Sequence, residues 1–474
     1  MAAVQLALFI VVLAALSTAQ FSRAEPVAAP TVCLALTLAG FAALSLFALI
    51  SSAATVRRLR SDFSRRARTL RCFDRLRQIH LGLWLLMSIA ALYGLGWDRL
   101  VRFNWHLAGS FLVDDLLILL LLIAPLVFSW AVFYDVDRQL QAGSPDKPGQ
   151  LASRREYVRL HVMHHLGLVL VPVLLLLAAD DAARFLLPAL NDGERSLLVA
   201  LVLLPALLVF FPDMLRRIWQ TEPLAPGPLR DRLTAAARRW NMPLRDILVW
   251  KTQGLVVNAA VAGLMRRRRY VFLTDGLLAR LSDEQIEAVF AHEMGHVRYR
   301  HLSLRLVAVT APVCLWMLAA SLFSPQLESL SVMLAAGGPA ATSLAGLLVI
   351  AGIAAYACFV FGPYARLLEN QADLFACRVM SSDQRAPGLA LDAVAPESVV
   401  CYGRMLAQLA LAAGVDTSRG GWLHPSIDHR VELLVDCALR PGRTGRFEAL
   451  IWFSTALLIS LSAGAVFCCW VIEL

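Results

Sequence analysis

His292, Glu293 and His296 stand in the order His-Glu-Met-Gly-His, behind Ser282-Asp283-Glu284-Gln285 and an apolar run. Ser at a helix N-cap with Gln three positions on makes a capping box, so the residues that follow are predicted to be helical. Residues four apart on a helix share one face. Both imidazoles then reach a single metal ion, and Glu293 lies beside them as a base for water. Two imidazoles do not complete a hydrolytic zinc, which takes three protein ligands and keeps one position open.

The third ligand must come from elsewhere in the chain. Tyr299 and Leu302 occupy the positions where a metzincin would continue with Gly and His, which excludes that subclass. The run Arg366-Leu367-Leu368-Glu369-Asn370-Gln371-Ala372-Asp373 supplies two carboxylates one turn apart. Glu369 is expected to ligate zinc. Asp373 is expected to accept a hydrogen bond from the far nitrogen of a ligand imidazole and so hold its tautomer. One Zn²⁺ per chain follows.

Short elements frame the motif. Ile247–Trp250, Leu255–Ala260 and Tyr270–Leu273 read as three strands, with Thr252-Gln253-Gly254 as the first turn. Asn258 and Ala259 lie on the strand ahead of the active helix, where an extended substrate is expected to add as a neighbouring strand. Such backbone pairing reads little side-chain identity, so specificity should be broad, and Val257→Pro should weaken cleavage.

The rest of the chain is apolar. Of 474 residues 58% are hydrophobic and 17% charged, against roughly 45–50% and 25% in soluble domains. A single soluble globule and a disordered chain are both excluded. Segments near 2–19, 30–54, 81–97, 112–134, 166–182, 196–212, 304–324, 341–361 and 447–472 are each of a length to cross a bilayer. The first is expected to be an uncleaved anchor. The nine cysteines are scattered without a CxxC pair and read as small hydrophobes.

Charge fixes the expected direction. Nine arginines lie between Arg57 and Arg77, and Arg138, Lys147, Arg154, Arg155 and Arg159 follow the fourth span; the alternate connections hold Arg23, Arg99, Arg102, Arg184 and Arg195. That bias of 14 to 5 places the richer side in the cytosol. The expected domains are a six-span membrane part at 1–212, a cytosolic domain at 213–446 interrupted by a hairpin at 304–361, and a last span at 447–474. Lys147 and Lys251 are the only lysines, a usage that fits a GC-rich genome and hence a bacterial inner membrane.

Asn258-Ala259, Leu273-Thr274-Asp275-Gly276, His292-Glu293-Met294-Gly295-His296, His301, Glu369 with Asp373, and His424-Pro425-Ser426 through Arg430 occur in that order. The set resembles the HtpX-like and CAAX-prenyl-protease type of integral-membrane zinc endopeptidase, metallopeptidase family 48, over about 213–440. The resemblance implies a gluzincin-like fold, one zinc and peptide-bond hydrolysis. The whole is then a mainly α-helical polytopic membrane protein, with about nine transmembrane helices and a cytosolic gluzincin-like α+β zinc peptidase domain. Membrane-associated or unfolded polypeptides are the expected substrates. His424 and Arg430 are candidates to stabilise the oxyanion. A transporter or sensor with a non-catalytic zinc-binding domain is the rival reading, although Glu293 and every expected ligand are present.

Other polar residues carry plainer expectations. His301 is expected to point away from the metal in a helix-end or headgroup role. His161, His164 and His165 read as interfacial imidazoles beside Arg159. Arg266–Arg269 read as a patch for anionic lipid heads and not for nucleic acid. Asp114-Asp115 and Asp180-Asp181 lie near the outer interface and are expected to be hydrated.

Overall fold

The structure, a computed structural model, describes residues 2–21, 26–61, 66–142, 153–336, 338–383, 394–413 and 416–472. Among them eight helices are long and apolar enough to cross a membrane: Pro30–Ser61, Arg68–Leu95, Val113–Gln139, Arg154–Leu186, Asp192–Ile218, His301–Leu322, Leu344–Met380 and Gly442–Val471. The chain is thus a multi-pass integral membrane protein. The expected ninth span is the helix Ala2–Phe21, whose apolar part, Val4–Thr18, falls below that length.

Contacts divide the chain into two units. The first holds residues 3–205 and 331–352, the second 206–330 and 353–474. In the first unit, polar groups that were expected to meet water meet each other instead. Arg102 pairs with Asp114 at 3.1 Å and Asp115 at 2.8 Å, and Asp181 accepts the Leu112 N–H at 2.9 Å. Pairing of this kind removes the cost of the buried charge. His161 Nδ1 donates to the Tyr157 carbonyl at 2.9 Å, and its ring packs on Tyr157 and Trp130.

The second unit holds a four-stranded sheet of β1 (Thr221–Pro223), β2 (Asp246–Trp250), β3 (Ala259–Ala262) and β4 (Tyr270–Thr274), in the order β1-β2-β4-β3. β2 and β4 run parallel, and the outer strands pair antiparallel. β4 is buried along its whole length, as a central strand should be. β1 escapes a reading from pattern, since it is three residues long and ends in Pro. The second expected strand begins late. Leu255–Asn258 is loop, because the Asp275 carboxylate takes the N–H groups of Thr252 at 3.0 Å and Gly254 at 3.2 Å. Arg280 holds the Gly254 carbonyl at 2.7 Å. Val257 therefore lies outside the strand, and its replacement by Pro does not test strand addition.

The helix Asp283–Arg298 begins with the expected capping box: Ser282 Oγ accepts from the Gln285 N–H, and Gln285 Oε1 from the Ser282 N–H at 3.0 Å. Its apolar face, Ile286, Phe290 and Met294, joins one core with Val271 and Leu273 of β4 and with Leu368 and Ala376. The helix from Leu344 to Met380 has 37 residues, about 55 Å at 1.5 Å per residue. That exceeds a hydrocarbon core of about 30 Å. Its C-terminal part, Gly362–Asp383, carries Glu369 and Asp373. The helix Pro441–Ile472 packs along His301–Leu322 within this same unit, and does not form a separate body.

Candidate active site and metal centre

Two helices meet at the site because one residue lacks a side chain. A Cβ on Gly295 would lie 2.9 Å from the Cα of Ala372. Only glycine permits that approach, which brings Asp283–Arg298 onto Gly362–Asp383. The three expected ligands then converge. His292 Nε2 is 3.2 Å from His296 Nε2 and 3.6 Å from Glu369 Oε2; His296 Nε2 is 3.5 Å from Glu369 Oε1. Zinc at 2.0–2.1 Å from each donor needs ligand atoms about 3.3 Å apart in a tetrahedron. The donor triangle fits that ion. Among the described residues it is the one group of three donors close enough to hold a metal.

Behind His292 stands a buried network. Asp373 Oδ1 lies 2.8 Å from His292 Nδ1 and accepts the Tyr402 hydroxyl at 2.7 Å. Arg430 binds the same carboxylate with two nitrogens, at 2.7 and 2.5 Å. Of the two candidates for the oxyanion, Arg430 has its guanidinium committed to Asp373, a structural hydrogen bond. Tyr402, on the helix Pro396–Ala413, carried no sequence signal, since a tyrosine among apolar residues reads as core.

Glu369 is held from two further sides. Arg305 donates to Oε1 at 2.5 Å, and His424 Nδ1 lies 2.7 Å from Oε2. Arg305 was missed, although an arginine at the head of an apolar span is a signal of function. His424 arrives on a loop anchored by Trp422, whose indole N–H donates to the Ala357 carbonyl at 2.9 Å. The His424 side chain remains 58% exposed. His301 does not point away: its Nδ1 is 2.7 Å from His296 Nδ1.

Glu293 is buried between the metal ligands and the sheet. Burial pushes its carboxyl above the usual range, against the pull of His292; Glu369 adds to the rise, and His424 and the Val261 N–H oppose it. That N–H belongs to β3 and points out of the sheet. The Thr274 N–H donates to the Asn258 carbonyl at 3.1 Å, so by antiparallel alternation Ala260 faces β4 while Ala259 and Val261 face outward. β3 is an edge strand, and of its outward groups the Val261 N–H is engaged with the Glu293 carboxylate. Asn258 is pinned at the start of that edge, its N–H donating to Thr274 Oγ1 at 3.0 Å. Of the Arg266–Arg269 run, Arg268 is engaged with Asp213 and lies 4.2 Å over the Phe210 ring, while Arg266 and Arg267 are exposed.

A His-Glu-x-x-His helix crossed by a carboxylate-bearing helix, beside an edge strand and on membrane-spanning helices, defines a membrane-embedded metallopeptidase. Residues 223–438 match the peptidase family M48. The chain is similar to a protease HtpX homolog of Burkholderia mallei, 26% identical over 300 residues, covering 59% of this chain and 99% of the relative. It is also similar to a protease HtpX homolog of Thermoplasma acidophilum, 27% identical over 201 residues; 39% of this chain and 58% of that relative are covered. The crystal structure of S. mikatae Ste24p aligns over 86% of this chain and 99% of its own, at 15% identity and a TM-score of 0.42.

Proposed function

We propose that the protein is a zinc-dependent endopeptidase that cleaves membrane or membrane-adjacent polypeptides from the cytosolic side of a bacterial inner membrane. The observation that carries this reading is the donor triangle of His292, His296 and Glu369, with the unligated Glu293 carboxylate set between it and an open strand edge. Zinc in such a site supplies a Lewis acid that makes water nucleophilic near neutral pH. Glu293 takes the proton of the attacking water and delivers it to the leaving amine. The outward N–H and C=O groups of Ala259 and the C=O of Val261 pair with the substrate backbone and bring the scissile bond to Glu293. His424 donates through Nδ1 to Glu369, and it donates to the oxyanion from Nε2 only as the doubly protonated imidazolium. Asp373 keeps the His292 proton on Nδ1, which leaves Nε2 free as a ligand.

The 14-to-5 bias of basic residues supports the cytosolic placement, and strand pairing supports a preference for unfolded segments over one fixed sequence. Purified protein with equimolar zinc should cleave unfolded casein. Glu293→Gln should retain zinc and lose roughly 10²–10⁴-fold in turnover, as the loss of a general base does. Zinc-loaded parent protein without turnover would overturn the reading.

A further inference from the structure

An imidazole that offers Nε2 to a metal carries its proton on Nδ1 when neutral, and that N–H needs an acceptor. Asp373 serves His292 in this way. For His296 the group in reach is another imidazole, His301, at 2.7 Å between the two Nδ1 atoms. If His301 Nδ1 accepts, the His301 proton sits on Nε2, and that atom lies 2.9 Å from Gln371 Oε1. An amide oxygen only accepts, so both bonds have one consistent direction. His301 is 1% and Gln371 4% exposed, which leaves water little access as a substitute partner.

The backbone makes this contact possible. Arg300, between the helix ending at Arg298 and the one starting at His301, has φ 55° and ψ 37° in the left-handed region. That turn folds the second helix back, so that its first residue faces His296. Gln371 sits two positions after Glu369 on the same helix. The three side chains therefore lock the second ligand to the element that supplies the third.

We infer that His301 and Gln371 are positioning residues, forming a neutral His296–His301–Gln371 relay that fixes the tautomer and ring orientation of one zinc ligand. The inference rests on the zinc-peptidase reading above. It distinguishes the two imidazoles: His292 is backed by a carboxylate, His296 by an uncharged amide through a second ring. A carboxylate at position 371 would draw the His301 proton more strongly and make His296 a more electron-rich ligand. Zinc would then be held more tightly and act as a weaker Lewis acid.

The test is zinc affinity by chelator competition on the full-length protein, alongside kcat and KM on casein. His301→Phe keeps an aromatic ring in the buried space and removes the acceptor; affinity should fall by about 10–100-fold, as with other partners of zinc-binding histidines. Gln371→Glu should move the other way, binding zinc more tightly than the parent while kcat falls and KM holds. A role in packing alone predicts no such opposition. Parental zinc affinity in folded His301→Phe, or a loss in Gln371→Glu that matches His301→Phe, would overturn the relay. A parent that binds no zinc would remove the peptidase reading with it, whereas a zinc-binding, active parent with those variant results removes the relay alone.

Discussion

Glu369 has four charged or imidazole partners around its carboxylate. It faces both ligand imidazoles, and Arg305 and His424 bind its two oxygens. Glu369→Ala removes the third donor and leaves Arg305 without its anion, so zinc affinity and activity should fall together. Equilibrium dialysis against zinc checks this, and a variant that binds and cleaves like the parent would refute the ligand assignment. Asp373 differs in kind. Its carboxylate accepts from His292, Tyr402 and both arms of Arg430, all of them donors. In Asp373→Asn an amide would turn N–H groups toward some of these donors and leave Arg430 buried without a counter-charge. Zinc affinity should drop about 10–100-fold. Stability should also fall, by about 3–5 kcal/mol, as when one partner of a buried ion pair is removed. Thermal unfolding of the zinc-free forms separates the second effect from the first.

At the level of elements, the edge strand β3 joins the sheet to the chemistry. Ala259 offers its N–H and C=O outward and Val261 its C=O, and Ala260 spends its own on β4. Pro is tolerated on an edge strand where its missing N–H would have faced solvent. Ala259→Pro should therefore leave the fold and zinc intact and reduce casein cleavage. Ala260→Pro should break a ladder bond and lower the melting temperature. Equal cleavage by folded Ala259→Pro and the parent would sink strand addition at this edge. The apolar run Leu255-Val256-Val257 looked like part of this strand, and local pattern offered no way to tell. Asp275 and Arg280, reaching Gly254 from 21 and 26 positions away, hold the segment as a loop instead.

For the whole molecule, the long helix from Leu344 to Met380 carries the membrane anchorage and the third ligand on one continuous rod. A site built this way stays close to the bilayer surface, which fits membrane or membrane-adjacent substrates. The orientation follows from the distribution of basic residues, and tags at Gly143 and Gly337, both outside the described residues, test it. The tag at Gly143 should be reachable from the cytosol and the one at Gly337 from the opposite side; a periplasmic signal at Gly143 would reverse the orientation.

The residues of the donor triangle could be picked out because each is encoded locally. His292 with His296, and Glu369 with Asp373, need only the four-residue period of a helix, and a capping box at Ser282 marks where the first helix begins. The spans were legible for a similar reason, since each is a run long enough to bury its own backbone hydrogen bonds in lipid. What surrounds the ligands was not encoded locally. Tyr402 reaches Asp373 across 29 positions, His424 and Arg305 reach Glu369 across 55 and 64, and His301 reaches Gln371 across 70. No period or spacing announces such pairs, because helix packing sets them, through contacts such as the bare approach of Gly295 to Ala372. His301 and Arg430 were read from the same sequence and given other directions. Only the packed helices decided that one lies against His296 and the other holds Asp373.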